Sequence, residues 1–432
     1  YQNNTSILAT PTHTLATTYT YDTLGQVTMV KSPDEGTSRF AYRKDGQIRY
    51  SQNALQNDTK VSYTDYDGLG RPIESGVITG SAGIWTLAIA NPDGTLLTGT
   101  RSEQTFTIYD DYKDFTTSYA VPANLDLAAL LTSRGLNAAQ YIPNNLSGNV
   151  AVTFNDSSFT WYSYDLYGRL EWMVQNVIGL GLKTIHYYYD HNGNVKKVIY
   201  QKDVANEMFV HQYTYQVDGA LLTVATSIDN VSFKEHAKYK YYQTGELKRV
   251  ELAQGLQGID YVYTLGGALK SINHPSLEAA NDPGRDTNDV FGITLDYYSG
   301  DYLRSNTNIT TSPSVAGLNQ DNYDGNIKAS RWANRQKDVP NPLAAASATN
   351  TAQQRGYMYN YNPNKWLTGA SFGNVSGNAI TPATAFNEGN ITYDKNGNIL
   401  SLQRNKENGT VVDNFTYAYG NGNNQMTHED DE

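Results

Sequence analysis

The 432-residue sequence contains no cysteine, so it has no disulfide bond, no zinc-thiolate site and no thiol nucleophile. Positive charge is also scarce, because 32 lysines and arginines face 43 aspartates and glutamates, for a net charge of −11. With no basic stripe to neutralise phosphates, we expect neither nucleic acid nor an anionic membrane surface as a partner. No apolar run approaches the roughly 18 to 20 residues of a membrane span.

Tyrosine is the aromatic residue that the chain uses most. There are 35 tyrosines but 11 phenylalanines, so most rings can pack on one side and keep a hydrated hydroxyl on the other. Hydrophobic residues make up 39% and charged residues 17%, and the remaining polarity comes from Asn, Thr, Ser, Gln and Gly. Disordered segments are poor in aromatic and β-branched residues. The composition therefore favours an ordered chain without one large core.

A tyrosine followed four residues later by glycine recurs along the chain, with an aliphatic residue two positions further on, or three at Gly70, where it is Ile73. Neighbouring copies begin about 21 to 26 residues apart, a length that suits one hairpin and its return. The copies are Tyr21/Gly25, Tyr42/Gly46, Tyr66/Gly70, Tyr164/Gly168, Tyr189/Gly193, Tyr215/Gly219, Tyr241/Gly245, Tyr263/Gly267 and Tyr393/Gly397.

Each copy predicts a strand, a turn and a second strand. In HYYYDHNGNVKKVIY, alternating side chains end at Asp190, and Asn192-Gly193 supplies the positive φ of the turn. Only glycine adopts the left-handed conformation without a Cβ penalty, which explains its regularity in the motif. Side chains alternate along a strand, so Tyr187 and Tyr189 share a face. We expect tyrosines of neighbouring hairpins to stack on one another.

The pattern is interrupted in three places. Residues 81–158 hold no complete copy, and they contain leucines at helical spacing near 124–140. We interpret 81–158 as an insertion with a short helix. Residues 275–289 and 336–356 are predicted to be long loops between hairpins. The whole of 1–432 is otherwise expected to be one continuous repeat region.

The segments YDTLGQVTMV, YDGLGRPIES, YDLYGRLEWM and YDKNGNILSL resemble the YD-repeat, or Rhs (rearrangement hotspot), family. The order YTLGGALKSIN, DVFGITLDYY, NYDGNIKASRW and YNYNPNKWLTGASF is similar to the core of Gram-negative bacterial members. The resemblance implies an all-β fold in which successive β-hairpins form a long spiralling sheet, a shell or part of one. In toxin-bearing relatives such a shell encloses a variable C-terminal toxin, and the teneurin-type shells of animals serve adhesion.

The chain departs from that family in ways that affect its interpretation. Toxin-releasing members carry DPxG-type segments near the end of the shell, whereas the DPGR of Asp282–Arg285 lies mid-chain, and we assign it no catalysis. The sequence starts without methionine and stops within a repeat, so we interpret it as a fragment. Its expected partners include its own missing N- and C-terminal segments.

Catalytic and metal sites are not predicted. The loops that begin at Asp190 and Asp394 superficially suggest calcium, but their glycine spacing favours turns. His186 and His191 flank a turn without a metal-binding spacing. Three carboxylate pairs could in principle serve a glycosidase, but sequence neighbours on turns rarely supply the required separation across a cleft. These pairs are Asp65/Asp67, Asp110/Asp111 and Asp321/Asp324. We expect no cofactor, no metal ligands and no enzyme activity.

The predicted function is that of a structural, encapsulating shell segment of a secreted polymorphic-toxin-type protein. Its cargo would be a C-terminal toxin outside this chain, delivered with the help of secretion or injection machinery. The alternative is a cell-surface adhesin that binds surface glycans, and an embedded glycoside hydrolase comes third. The resemblance implies location outside, or at the surface of, a Gram-negative bacterium.

Overall fold

The computed structural model describes residues 16–112, 126–302, 321–335, 353–376, 379–420 and 423–431. About half of the chain is β-strand, and the predicted all-β fold class is confirmed. The described residues contain two α-helices, each of seven residues. None of the helices in these ranges is long and apolar enough to cross a membrane.

The strands follow one another in antiparallel pairs, as a sequence of hairpins requires. The chain divides into two compact units, one formed mainly by Tyr1–His211 and the other mainly by Ser232–Gly420. In the first unit the strands are β1 Thr18–Tyr21, β2 Val27–Ser32, β3 Gly36–Tyr42, β4 Ile48–Gln52, β5 Lys60–Tyr66, β6 Pro72–Thr79, β7 Thr100–Tyr109, β8 Val150–Asn155, β9 Ser158–Tyr164, β10 Leu170–Val177, β11 Gly181–Tyr189 and β12 Val195–Tyr200. Each pairs with the next.

The second unit repeats this arrangement after β13 (Phe209–Tyr215), the strand in which the division between the units falls. From β14 to β22 each strand pairs with the next, and β22 pairs with both β23 and β24. The strands are β14 Leu221–Ser227, β15 Lys234–Tyr241, β16 Leu247–Leu252, β17 Gln257–Tyr263, β18 Leu269–Ile272, β19 Phe291–Asp296, β20 Ala329–Asn334, β21 Arg355–Tyr361, β22 Leu367–Ser376, β23 Ala379–Pro382, β24 Glu388–Tyr393, β25 Ile399–Asn405, β26 Val411–Tyr419 and β27 Met426–Asp431.

Two short helices cover parts of the sheet in the first unit. Helix α1 (Ile84–Ala90) buries Trp85 in a cluster with tyrosine and valine side chains of β4 and β5. Helix α2 (Leu127–Ser133) buries Leu131 in the cluster that contains Trp161 of β9. Helices of seven residues are marginal in isolation, so this burial stabilises them.

The segment 81–158 holds both helices and also two strands of the sheet. Strand β7 pairs with β6, and β8 pairs with β7 and β9, so the strand pairing continues through this segment. Residues 275–289 connect β18 to β19 and contain no strand. Of the predicted loop 336–356, residues 336–352 lie outside the described residues, and Arg355 begins β21.

The second unit buries a charged network beside a small apolar cluster around Ala329. The ammonium of Lys270 lies 2.8 Å from Asp296 and 2.8 Å from Asp301, and Arg331 also binds Asp296 at 2.9 Å. All four side chains are at most 2% exposed. A buried ion loses its hydration, so each of these charges depends on its partners.

Candidate functional site

The repeat turns share one backbone conformation. Each of the nine repeat glycines lies in the left-handed region, with φ between 75° at Gly168 and 98° at Gly245. At Gly193 φ is 90°, and the preceding Asn192 has an ordinary negative φ, so glycine alone supplies the positive angle. The nine are Gly25, Gly46, Gly70, Gly168, Gly193, Gly219, Gly245, Gly267 and Gly397.

Two backbone hydrogen bonds close each of these turns. In the first copy the Gly25 N–H donates to the Asp22 carbonyl at 3.2 Å, and the Asp22 N–H donates to the Gln26 carbonyl at 2.9 Å. The register shifts by one residue at the repeat tyrosine, where Tyr21 pairs with Val27. This is the three-residue hairpin loop, in which a left-handed residue forms a bulge.

Aspartate next to the tyrosine stabilises the turn. One oxygen of Asp67 accepts the N–H of Leu69 and the N–H of Arg71, both at 2.9 Å. Burial by itself raises the pKa of Asp67, but these donors and the Arg71 guanidinium outweigh it, so the pKa lies below its ordinary value. Burial is likewise outweighed at three further turn aspartates, whose pKa values are lowered by backbone N–H groups and one side chain each. That side chain is Arg169 for Asp165, Asn194 for Asp190 and Asn398 for Asp394.

Six of the nine repeat tyrosines connect their hairpin to the one before it. The hydroxyl of Tyr42 donates to the carbonyl of Val27 at 2.9 Å, and that of Tyr189 donates to the carbonyl of Leu170 at 2.9 Å. In each case the acceptor is the aliphatic residue that follows the glycine of the preceding copy. The same bond joins Tyr66 to Ile48 and Tyr241 to Leu221. Tyr164 and Tyr393 bond the carbonyls of Val150 and Leu367, the first residues of β8 and β22 in those ladders, which follow none of the nine repeat glycines.

Guanidinium groups of the turns cover several of these rings. Arg43 lies 4.8 Å from the ring centre of Tyr66, and Arg169 lies 4.4 Å from that of Tyr189. The contact that we expect between tyrosines of neighbouring hairpins occurs edge-on at Tyr242 and Tyr263, whose ring centres lie 6.3 Å apart. At Tyr66 and Tyr189 the contacts between neighbouring hairpins are instead a hydroxyl-to-carbonyl bond and a cation–π contact, which contributes about 0.5 to 1 kcal/mol at an exposed site.

The structure contains further tyrosines with the same hydroxyl bond that the tyrosine–glycine spacing does not identify. The hydroxyl of Tyr361 donates to the Ile327 carbonyl at 2.7 Å. The same turn follows Tyr361, but Lys365, with φ 67°, occupies the glycine position. A motif search that demands glycine overlooks this turn, although YNPNKWL retains the tyrosine and the aliphatic residue. Equivalent hydroxyl bonds are made by Tyr109 to Pro72, Tyr297 to Leu269 and Tyr419 to Ile399.

The carboxylate pairs considered for a glycosidase are engaged in structural contacts. One oxygen of Asp110 lies 2.7 Å from Arg71 and the other accepts the Gly148 N–H at 2.6 Å. Other members are bound similarly: Asp65 by Arg49, Asp321 by Lys328 and Asp324 by Lys365. At the suspected calcium loop, the Asp190 carboxylate accepts bonds from Asn192 and Asn194, as a turn requires.

His186 is buried in β11, whereas His191 is exposed in the following turn. The His186 Nε2 lies 3.3 Å from the Tyr141 hydroxyl, which itself donates to Asp203 at 2.5 Å. Burial, with the charge of Lys202 adding to it, lowers the pKa of His186 from 6.5 to about 4. The imidazole is therefore neutral in the folded protein at neutral pH.

Four aspartates of the second unit converge between β17 and the connection that leads to β19. Asp260 of β17 and Asp282, Asp286 and Asp289 of the connection form this acidic cluster. One carboxylate oxygen from each of the first three lies within 4.8 Å of the others. The Arg249 guanidinium bridges Asp260 and Asp286, with 2.6 Å to the latter. The sequence gives no signal for this cluster, because its members are spread over 30 residues and form no recognised motif.

Burial dominates the electrostatics of the acidic cluster. Asp282 and Asp289 are fully buried and Asp260 is 3% exposed. Burial raises the pKa of Asp260 to about 6, against the opposing effect of Arg249. Burial also raises the pKa of Asp289, and the neighbouring carboxyl of Asp282 raises it further. Burial therefore favours the protonated forms of Asp260 and Asp289 over their charged forms.

Comparison with solved structures shows which proteins share this fold. A crystal structure of TcdB2-TccC3 without its hypervariable C-terminal region matches 95% of this chain with a TM-score of 0.59 and 14% sequence identity. The complex TcdB2-TccC3-Cdc42 matches 96% of the chain with a TM-score of 0.47 and 13% identity. The Tc holotoxin pore of Photorhabdus luminescens, with the mutation TccC3-D651A, matches 95% with a TM-score of 0.47 and 13% identity.

These similarities concern the fold. The chain spans 17% of the length of the first of these solved chains and 20% of each of the other two. No protein-family model and no curated protein sequence matches the chain. What this chain shares with TcdB2-TccC3 lacking its hypervariable C-terminal region is the β-hairpin fold, over 95% of this chain and at 14% sequence identity.

Proposed function

We propose that this chain is part of the wall of a YD-repeat shell that encloses a toxin segment in a secreted bacterial protein. The observation that carries the proposal is the shared fold along 95% of the chain with TcdB2-TccC3 lacking its hypervariable C-terminal region. The tyrosine–glycine repeats are consistent with it, since they resemble those of the Rhs family. The enclosed toxin and any secretion machinery are the partners that this proposal implies.

The hydrogen-bonding pattern suits a wall. Six of the nine repeat tyrosines bond the backbone of the preceding hairpin, as Tyr189 does to Leu170. Stability is then spread over many local contacts, and no single apolar core is required. A wall with water on both faces needs hydroxyl-bearing rings, and the 35 tyrosines supply them.

We further propose that the chain itself is structural rather than catalytic. The candidate carboxylates are bound to arginine, lysine or backbone N–H groups, as Asp110 is to Arg71 and Gly148. A general acid or nucleophile needs a carboxylate that is available to a substrate. The proposed role is thus to surround the toxin and to keep its surface away from proteases and solvent.

Protease protection tests the proposed function. The protein is produced with the natural sequence that follows this chain, and trypsin digestion is monitored by mass spectrometry. We expect the following segment to survive protease concentrations that degrade the same segment produced alone. A fusion of that segment to an unrelated folded domain is the control, because simple attachment should not protect it.

Equal digestion in the natural protein and in the control fusion would refute encapsulation. The adhesin alternative predicts a different result. In that case the purified chain binds a subset of glycans on an array, and the following segment is cleaved as readily as it is alone.

A further inference from the structure

We propose that residues 126–142 form a strap that covers part of the sheet in the first unit and opens at acidic pH, when His186 takes up a proton. The strap consists of helix α2 and the 3₁₀ turn Ala138–Gln140, with the buried Tyr141 near its end. The strap and His186 both lie within the first unit. The proposal does not depend on the encapsulating role, because it uses only the contacts and charges around this strap.

Side chains, rather than strand pairing, attach the strap to the sheet. Among the described residues, every backbone hydrogen bond of the strap joins two of its own residues, as the Leu130 N–H does to the Asp126 carbonyl at 2.9 Å. The chain returns to the sheet at Asn144, whose carbonyl accepts the Tyr164 N–H at 3.1 Å. The strap can therefore open without breaking the pairing of any strand.

Apolar contacts keep the strap folded. Four of its side chains are buried in the cluster that contains Trp161 and Trp172 of the sheet, namely Leu127, Leu131, Leu136 and Tyr141. A helix of seven residues is marginal by itself, so α2 persists only while these side chains are docked. An opened strap therefore loses its helix and exposes Trp161 and Trp172 to water.

Tyr141 joins the strap to a buried polar group of the sheet. Its ring is 2% exposed and packs edge-on against Trp172 at 5.5 Å and against His186 at 5.4 Å. Its hydroxyl donates to Asp203 at 2.5 Å and lies 3.3 Å from Nε2 of His186. His186 is 8% exposed beneath this contact. The docked strap thus keeps water away from the imidazole.

The surroundings of His186 favour its neutral form. The residues opposite it on the neighbouring strands are Trp172 of β10 and Ile199 of β12, and neither carries a charge. The titratable and charged groups around it are Tyr141 of the strap, Tyr188 of its own strand, and Lys202 and Asp203 of the connection after β12. Burial, with Lys202 adding to it and Asp203 opposing it, lowers the pKa of His186 from 6.5 to about 4.

Proton uptake is therefore linked to opening. In the open form the hydrated imidazole returns to its ordinary pKa of about 6.5. Between that pH and about 4, the open form binds a proton that the closed form does not, so falling pH favours opening. The ratio of open to closed strap should be on the order of 50-fold higher at pH 4.5 than at pH 7.0.

A second attachment of the strap titrates differently. Arg134 of α2 binds Glu207, at 2.6 Å, on the exposed rim of the strap. The Gln201 side chain, with Lys183 and Arg134 adding to it, holds the pKa of Glu207 below its ordinary value of 4.5. This carboxylate therefore keeps its charge over most of the range in which His186 is linked to opening.

Hydrogen exchange of the full chain, measured by mass spectrometry at pH 7.0 and pH 4.5, tests the proposal. The result is expressed as a protection factor, the ratio of intrinsic to observed exchange rate, which removes the direct effect of pH on exchange. Protection of peptides within 127–141 should fall on the order of 50-fold at pH 4.5. Peptides that cover 60–79 should keep their protection, because the sheet stays paired.

Three variants identify the group that responds. His186→Gln keeps a neutral side chain at both pH values and should abolish most of the fall. His191→Gln is the matched control, because His191 is exposed in the turn that follows the same strand, and it should show the fall of the parent chain. Glu207→Gln removes the rim ion pair and should lower protection of the strap at both pH values while retaining the fall.

Two results with the unaltered chain would overturn the proposal, whatever the variants do. One is unchanged protection of the strap at pH 4.5. The other is an equal fall in peptides within 127–141 and within 60–79, which would mean that acid unfolds the whole first unit. A fall of parental size in a His186→Gln chain that is protected normally at pH 7.0 would overturn it as well.

Discussion

Alanine at Gly70 should destabilise the β5–β6 hairpin, whereas alanine at Gly68, two residues earlier in the same turn, should not. Gly70 has φ 80°, and a Cβ there would meet Gln47 at 3.4 Å, an ordinary contact. The cost therefore arises from the left-handed backbone and amounts to about 1 to 2 kcal/mol. Gly68 is outside that region and has nothing within 4 Å of a Cβ, so alanine there is neutral or stabilising by about 0.4 to 1 kcal/mol.

Hydrogen exchange measured by mass spectrometry reports the opening of this hairpin without requiring the whole chain to unfold in one step. Peptides that cover residues 60–79 should exchange roughly 5 to 30 times faster in Gly70→Ala than in the parent chain. Peptides from the second unit should be unchanged in both variants. Equal effects at the two glycines would refute the argument that the turn depends on a left-handed residue.

Position 365 offers the reciprocal test. Lys365 takes the place of the repeat glycine with φ 67°, so Lys365→Gly relieves about 1 to 2 kcal/mol of backbone strain. Glycine's greater freedom in the unfolded chain offsets about 0.5 to 1 kcal/mol of this. We expect slower exchange in β21 and β22, and faster exchange would contradict the assignment of this turn to the repeat.

Three further substitutions test other parts of the structure. Tyr189→Phe removes a hydrogen bond to the preceding hairpin and should lower the free energy of unfolding in urea by about 1 kcal/mol, while Tyr188→Phe, at a ring that is 39% exposed, should have little effect. Burial, with a nearby lysine, lowers the pKa of His186 from 6.5 to about 4. The stability that the neutral imidazole contributes is therefore complete above pH 6.5 and is lost at up to about 1.4 kcal/mol per pH unit as the pH falls towards 4. His186→Gln should flatten this part of the curve of unfolding free energy in urea against pH. Lys270→Met leaves the buried Asp301 without its cation and Asp296 with Arg331 alone. It should cost about 3 to 5 kcal/mol by thermal unfolding, against less than about 1 for the surface lysine variant Lys240→Met.

The repeat pattern was sufficient to predict an all-β fold and the positions of the nine glycine turns, because period-2 alternation and a left-handed glycine are local properties of the chain. The partner of each tyrosine hydroxyl was not predictable in this way. Tyr189 reaches the carbonyl of Leu170 because β10 and β11 are paired, and that pairing is a property of the assembled sheet. The turn at Lys365 was not predicted because it lacks glycine. The pairing of β21 with β22 imposes on Lys365 a left-handed conformation that lysine does not favour by itself.

The charged groups of the second unit were harder to predict from sequence. Lys270 and Arg331 resemble surface residues in a polar chain, yet both are fully buried beside Asp296. The acidic cluster combines Asp260 of a strand with three aspartates of a long connection. Their convergence depends on the path of that connection, which contains no strand or helix and leaves no periodic signal.

Cryo-electron microscopy of the protein produced with its natural flanking sequences tests the encapsulating role most directly. We expect a hollow shell whose wall contains the tyrosine-linked hairpins and whose interior holds additional density for the enclosed segment. A solid rod or a compact globule, with the following segment outside it, would contradict the encapsulating role.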